Sequence, residues 1–205
     1  TVRAPFGVAR QQIEEIVEKH RGWIEKKQAE AARRKEETRL PHIRKGDLFW
    51  FLGKQYPLSI SEKSTHAVKL HTNRLILAKE YLDDAQAVLE SWYRSMAGLV
   101  IPAKVQKHAT KHNLTPARIR ITSARTRWGS CSAKGDLNFS WRLIMAPVEV
   151  IDYVVVHELA HLKQRNHSKA FWAEVERMLP GCRQQRKWLK ENGHRLGIDQ
   201  REGVN

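Results

Sequence analysis

The sequence predicts an α+β protein, with helices at both ends and in the middle and strands gathered in two short stretches. Three observations carry this. Apolar residues recur at helical spacing over residues 10–37 and again from residue 79. They alternate at strand spacing between residues 48 and 77. A strongly apolar run then ends in His157-Glu158-Leu159-Ala160-His161, a pattern that has chemical meaning on a helix. With 205 residues, 41% of them apolar, the chain can form a real core.

Residues 2–8 read as a short extended piece. Ile13, Ile16, Val17, His20, Trp23 and Ile24 then share one helical face, giving a helix over 10–37 with a charged, solvated second half that Pro41 ends. Gly46-Asp47 and Gly53-Lys54 bracket a strand, and the alternation of Tyr56, Leu58 and Ile60 gives another. Val68, Leu70, Leu75 and Leu77 continue the pattern around a turn at Thr72-Asn73, so a small β-meander packing on the first helix is expected. From residue 79, Leu82, Ala85, Val88, Leu89, Trp92, Met96 and Leu99 form an apolar stripe. Pro102 interrupts or kinks that helix, and a second piece reaches His112. Residues 118–122 and 137–145 read as strands, and Pro147 stands near the start of a new helix, where its missing N–H does no harm. The expected organisation is an N-terminal helix and β-meander region, residues 1–78, and a second domain, residues 79–205, that carries the histidine-rich helix.

Composition narrows the setting. No stretch approaches the roughly 18 uninterrupted apolar residues of a membrane helix, and the first ten residues lack the basic-then-apolar layout of a secretory signal. Cys131 and Cys182 are the only cysteines, too few for a disulfide framework, so a reducing cytoplasmic location is expected. The formal charge of +15 attracts polyanions at long range and makes nucleic acid a possible partner, although ordinary helix faces carry much of it.

Residues four apart on a helix lie nearly one above the other, so His157 and His161 can reach one metal ion. Glu158 is displaced about 100° around the axis, which sets its carboxylate beside that ion as a general base. Val155, Leu159 and Leu162 would anchor the opposite face in the core. Polar groups on so apolar a helix need partners, and a metal site satisfies all three. A catalytic zinc site takes three protein ligands and keeps a fourth position open. The nearest third donor is His167, brought back by a turn in which Asn166 leaves the helix in a left-handed conformation, with Ser168 capping the next helix. Glu174 and Glu176 are alternative third ligands. The metzincins space three histidines in the same way, but Gln164 stands at their glycine position and no Met-turn follows.

Taken together, Arg127-Trp128-Gly129-Ser130-Cys131, the run from Tyr153 through His157-Glu158-Leu159-Ala160-His161 to Leu162, Asn166-His167-Ser168 and Phe171-Trp172 resemble the YgjP-like metallopeptidases, relatives of the SprT and WLM zinc peptidases. Arg3-Ala4-Pro5 and Trp23-Ile24 extend the resemblance over nearly the whole chain. It implies a zincin-like catalytic core, one Zn2+ per chain held by His157, His161 and His167, and Glu158 as base. It also implies that the strand before the helix, here residues 137–145, forms a sheet edge along which a peptide substrate lies.

The expected function is zinc-dependent hydrolysis of peptide bonds in a peptide or protein substrate. The alternative is a basic, nucleic-acid-associated binding protein with a structural zinc site. His108 and His112 are also four apart, but no Glu follows His108 and lysines flank both. Arg127, Tyr153 and His194 are candidates to stabilise the oxyanion, and the sequence does not choose among them.

Overall fold

The computed structural model describes residues 10–23, 25 and 43–198. The chain falls into two compact units, Thr1–His42 and Ile43–Asn205. The first contains helix α1 (Arg10–Lys19). The extended piece over residues 2–8 and the second half of the expected first helix lie outside the described residues.

The second unit is a mixed α+β body with two small sheets. The first sheet holds β1 (Leu48–Phe51), β2 (Lys54–Ser61), β3 (Val68–His71) and β4 (Arg74–Ala78) in the order β1-β2-β4-β3. Both hairpins use two-residue turns whose backbones enter the left-handed region, Leu52-Gly53 (φ 48 and 78) and Thr72 (φ 51), as tight hairpins require. The expected simple meander is corrected at one point. β4 lies between β2 and β3 and runs parallel to β2, with Leu58 opposite Leu75 and Ile60 opposite Leu77. That order puts Leu58, Leu75 and Leu77 together on the buried face.

Helix α2 (Ala85–Lys111) runs unbroken through Pro102. The carbonyl that the proline ring crowds belongs to Gly98, four residues earlier. No other side chain or neighbouring element lies within 4 Å of where a Gly98 Cβ would be, so this stretch of the helix is not crowded from outside. The second sheet, ordered β5-β7-β6, contains β5 (Arg118–Thr122), β6 (Gly129–Cys131) and β7 (Asp136–Ser140). Two expectations change here. β6 lies between the two expected strands, where no strand was expected. The strand expected over residues 137–145 stops at Ser140 and continues as a 3₁₀ helix, Trp141–Met145. Trp141, Leu143, Ile144 and Met145 are all buried, and an apolar run without alternation does not distinguish a strand from a helical turn.

Helices α3 (Val148–Ala160), α4 (Lys169–Met178) and α5 (Arg183–Asn192) complete the unit. The four-stranded sheet shares one core with them, so the boundary drawn at 78/79 falls inside a continuous apolar cluster. The β1–β2 turn is docked on the 3₁₀ helix: Leu52 N–H donates to Ile144 O at 2.9 Å and Gly53 N–H to Met145 O at 3.1 Å. A Cβ on Gly53 would come within 2.7 Å of Pro147 Cα, so glycine permits the close approach to the start of α3. Nine of the thirteen α3 residues are buried. Lys104 Nζ and His108 Nε2 of α2 reach Asp152 of α3 at 2.9 and 3.0 Å. The helix bearing His157 is thus held on several sides. Among the described residues no helix is long and apolar enough to cross a membrane.

Candidate active site

His157 and Glu158 lie in the last turn of α3, and His161 is its C-cap residue. The chain leaves the helix by tight turns, with Leu162 N–H donating to Leu159 O and Lys163 N–H to Ala160 O. His161 keeps right-handed angles and Asn166 is not among the residues with positive φ, so the expected left-handed exit at Asn166 is not used. A tightened last turn satisfies the terminal carbonyls without one. Ser168 caps α4 as expected, its hydroxyl accepting from Phe171 N–H at 3.3 Å.

This geometry brings His157, His161 and His167 together, with one ring nitrogen from each within 4.8 Å of the others. The Nε2 atoms of His157 and His167 are 3.0 Å apart. His161 Nδ1 lies 3.0 Å from the Gln164 carbonyl, which orients its ring by the hydrogen bond typical of a ligating imidazole. Phe171 stacks on His161 at 4.5 Å, and Trp172 on His167 at 5.8 Å. The Tyr153 ring meets His157 edge-on at 5.9 Å.

The donor set suits a zinc-type ion. In a tetrahedral site with metal–nitrogen bonds of about 2.0–2.1 Å, imidazole nitrogens lie roughly 3.3 Å apart, near the spacing of the two Nε2 atoms. Burial, with the crowding of His161, His167 and the Arg186 guanidinium, pushes the His157 imidazole down to about 3, and burial lowers His167 as well. Both rings therefore keep the neutral form that a metal requires at neutral pH. Among the described residues no carboxylate or thiol joins the three. Glu174 is engaged with Lys163 and Arg177. Glu176 accepts from Gly181 N–H and from Cys182.

Glu158 is buried, at 5% exposure, yet it lines the same cleft of about 500 Å³ as the three histidines, Arg127 and Arg165. Burial raises its carboxyl to about 7, against the pull of the Arg127 guanidinium. A dication beside it would favour the carboxylate. Edge strand β6 lies directly over this group: a Cβ on Gly129 would stand 2.5 Å from Glu158 Oε1. β7 sits centrally in its sheet, paired with β5 on one side and β6 on the other, so the edge beside the cleft is β6 rather than residues 137–145.

Of the oxyanion candidates, Arg127 lines the cleft, while Tyr153 is buried behind His157. His194 lies in a 3₁₀ turn, Gly193–Arg195, and is not among the lining residues. Two residues were missed. Arg165 also lines the cleft and donates to Ala133 O at 3.2 Å, tying the histidine loop to the β6–β7 turn. Arg186 reaches the site through Trp172, over whose ring its guanidinium sits at 4.1 Å. The legible signal for Arg186 was its place in a run of cations on one face of α5. Arg165 had none.

Among characterised proteins, the UTP pyrophosphatase of Escherichia coli (strain K12) is 35% identical over 72 residues. That match takes in 33% of this chain and 43% of the relative, so the chain spans less than half of the relative's length. Two solved metallopeptidase zymogens are similar to it: abylysin of Pyrococcus abyssi (TM-score 0.41, 23% identical, 45% of this chain and 94% of that one) and jannalysin of Methanocaldococcus jannaschii (TM-score 0.41, 21% identical, 45% and 95%). The family model for the YgjP-like metallopeptidase domain matches residues 1–192, and the chain belongs to that metallopeptidase family.

Proposed function

We propose that this chain is a zinc-dependent peptidase in which His157, His161 and His167 hold the ion and Glu158 is the general base. The observation that carries the reading is the convergence of three imidazoles and one buried carboxyl on a single open cleft. Zinc, when bound, would supply Lewis acidity toward water and the scissile carbonyl. Glu158 takes the attacking water's proton on a carboxylate oxygen and delivers it to the leaving amine. Arg127 offers a cation to the carbonyl oxygen as negative charge develops there. The free edge of β6 gives an extended peptide a strand to pair with, beside Glu158. Imidazole donors favour zinc over harder ions, and a closed structural site would need a fourth protein ligand.

The test is Glu158→Gln. It is expected to retain zinc, read by elemental mass spectrometry, and to cleave a peptide library at roughly a thousandth of the wild-type rate or less. Undiminished turnover overturns the role of Glu158.

A second reading is favoured by the two guanidinium groups on the cleft wall, Arg127 and Arg165. Paired arginines suit phosphate oxygens, and the E. coli relative is named for acting on UTP. In this reading the same carboxylate and ion serve hydrolysis of a phosphoanhydride. Assaying wild type and Glu158→Gln against both UTP and peptides separates the two: Glu158-dependent UTP turnover without peptide cleavage would replace the peptidase reading.

A further inference from the structure

A second cavity, of about 710 Å³, opens between α4 and α5, separated from the histidine cluster by the Trp172 indole. One face of α5 presents Arg183, Arg186, Lys187 and Lys190 to it. Their spacing, i, i+3, i+4 and i+7, makes a continuous stripe about 10 Å long. All four side chains are exposed. Like charges at i, i+4 repel, so Arg183 against Lys187 and Arg186 against Lys190 cost the helix stability. The first turn of α5 contains no acidic residue, and Arg183 and Arg186 stand near its positive end.

Little among the described residues neutralises the stripe. Among the described residues Glu176 is the one carboxylate lining the cavity, and its oxygens accept from Gly181 N–H at 2.9 Å and Cys182 Sγ at 3.3 Å. Lys187 has a distant partner among them, Glu191, at 3.9 Å. An uncompensated row of cations along a concave wall suits a ligand with several closely spaced negative charges. Trp172 already carries Arg186 over its ring and His167 against it, so it is a poor stacking platform for a nucleobase.

We propose that the α4–α5 cavity binds a chain of two or more phosphate groups, either free condensed phosphate or the tail of a nucleotide. Two arginines supply forked donors and two lysines supply point charges along the chain. The site does not depend on the metal.

Calorimetric titration of inorganic tripolyphosphate into the full chain, with and without a chelator, tests this. Saturable binding is expected in both conditions, weakened at least ten-fold in the R183Q/R186Q and K187Q/K190Q pairs. The R118Q/R120Q pair on β5 should stay within two-fold of wild type. Because Arg186 packs on Trp172, the lysine pair keeps the test valid if the arginine pair folds poorly. UTP should bind about as tightly as tripolyphosphate, and UMP and orthophosphate at least ten-fold more weakly. UTP binding far more tightly than tripolyphosphate would identify nucleoside recognition as the driver and overturn the proposal. Equal loss in the β5 pair would reduce the effect to net charge. Loss of binding on chelation would move the phosphate to an ion held by the three histidines. Preferential, length-dependent binding of a single-stranded oligonucleotide would mark a nucleic-acid surface instead. Each of these outcomes overturns the cavity as a phosphate-chain site.

Discussion

Two histidine pairs in this chain share the i, i+4 spacing and meet different fates. His157 and His161 stand with rings at 87° and centroids 5.0 Å apart, and His167 closes the group. His108 and His112 lie parallel, at 5° and 6.4 Å. His108 Nε2 is engaged with Asp152, and burial together with neighbouring cations lowers His112. Spacing places two imidazoles on one helix face, but the element across from that face decides what they do. Opposite the first pair are His167 and the aromatic side chains of α4. Opposite His108 is a carboxylate of α3. Asp152 and His157 are five residues apart, about 140° around the helix, so one helix presents a carboxylate to α2 and an imidazole to the cleft.

The comparison breaks most sharply on metal content. His161→Ala is expected to fall from about one zinc per chain to a small fraction of that, while His112→Ala keeps the wild-type amount, both read by elemental mass spectrometry. Loss of metal in both would mean that the two pairs are coupled. The next effect is on rate. Gly129→Ala places a methyl against the Glu158 carboxylate, so turnover should drop about 100-fold with zinc retained. Unchanged kinetics would show that β6 yields easily.

On the other side of α3 the effects are on stability. Burial opposes ionisation of Asp152, but hydrogen bonds from His108 and Lys104 outweigh it and hold the carboxyl below its ordinary value. A group lowered in this way stabilises the fold above its unfolded pKa of about 3.9 and loses that contribution as pH falls through the folded value. Asp152→Asn should therefore cost about 1–3 kcal/mol in urea melts at pH 7. The difference from wild type should shrink below about pH 4, and a constant difference down to pH 2 would contradict it. The smallest effect is expected from Ser168→Ala, about 1 kcal/mol through the lost cap of α4, read by thermal melts.

What was legible in the sequence was local. The HExxH helix, the serine cap, the turns at Gly53 and Thr72 and the strand Arg118–Thr122 all follow from short-range spacing and turn chemistry. What was hidden depends on partners distant in sequence. Nothing local to residues 54–78 reveals that β4 inserts beside β2, because the hairpin pattern of β3 and β4 is the same in either order. β6 has only three residues, and its pairing with Phe139, Asn138 and Leu137 makes it a strand. The three histidines were nameable because each is a metal-binding residue type. Arg165 was not, since its role comes from a loop that folds back to Ala133.

The docking of the β1–β2 turn on the 3₁₀ helix has a kinetic consequence. Leu52 and Gly53 donate to the carbonyls of Ile144 and Met145, residues far along the chain that immediately precede the histidine-bearing helix. Such a contact closes a very large loop, and its entropy must be lost before the contact repays it. The histidine cluster should therefore mature late in refolding, after α2 and the local hairpins. A stopped-flow experiment would then see zinc uptake lag behind the recovery of helical signal, and substitutions that disturb the Gly53 turn should lengthen that lag.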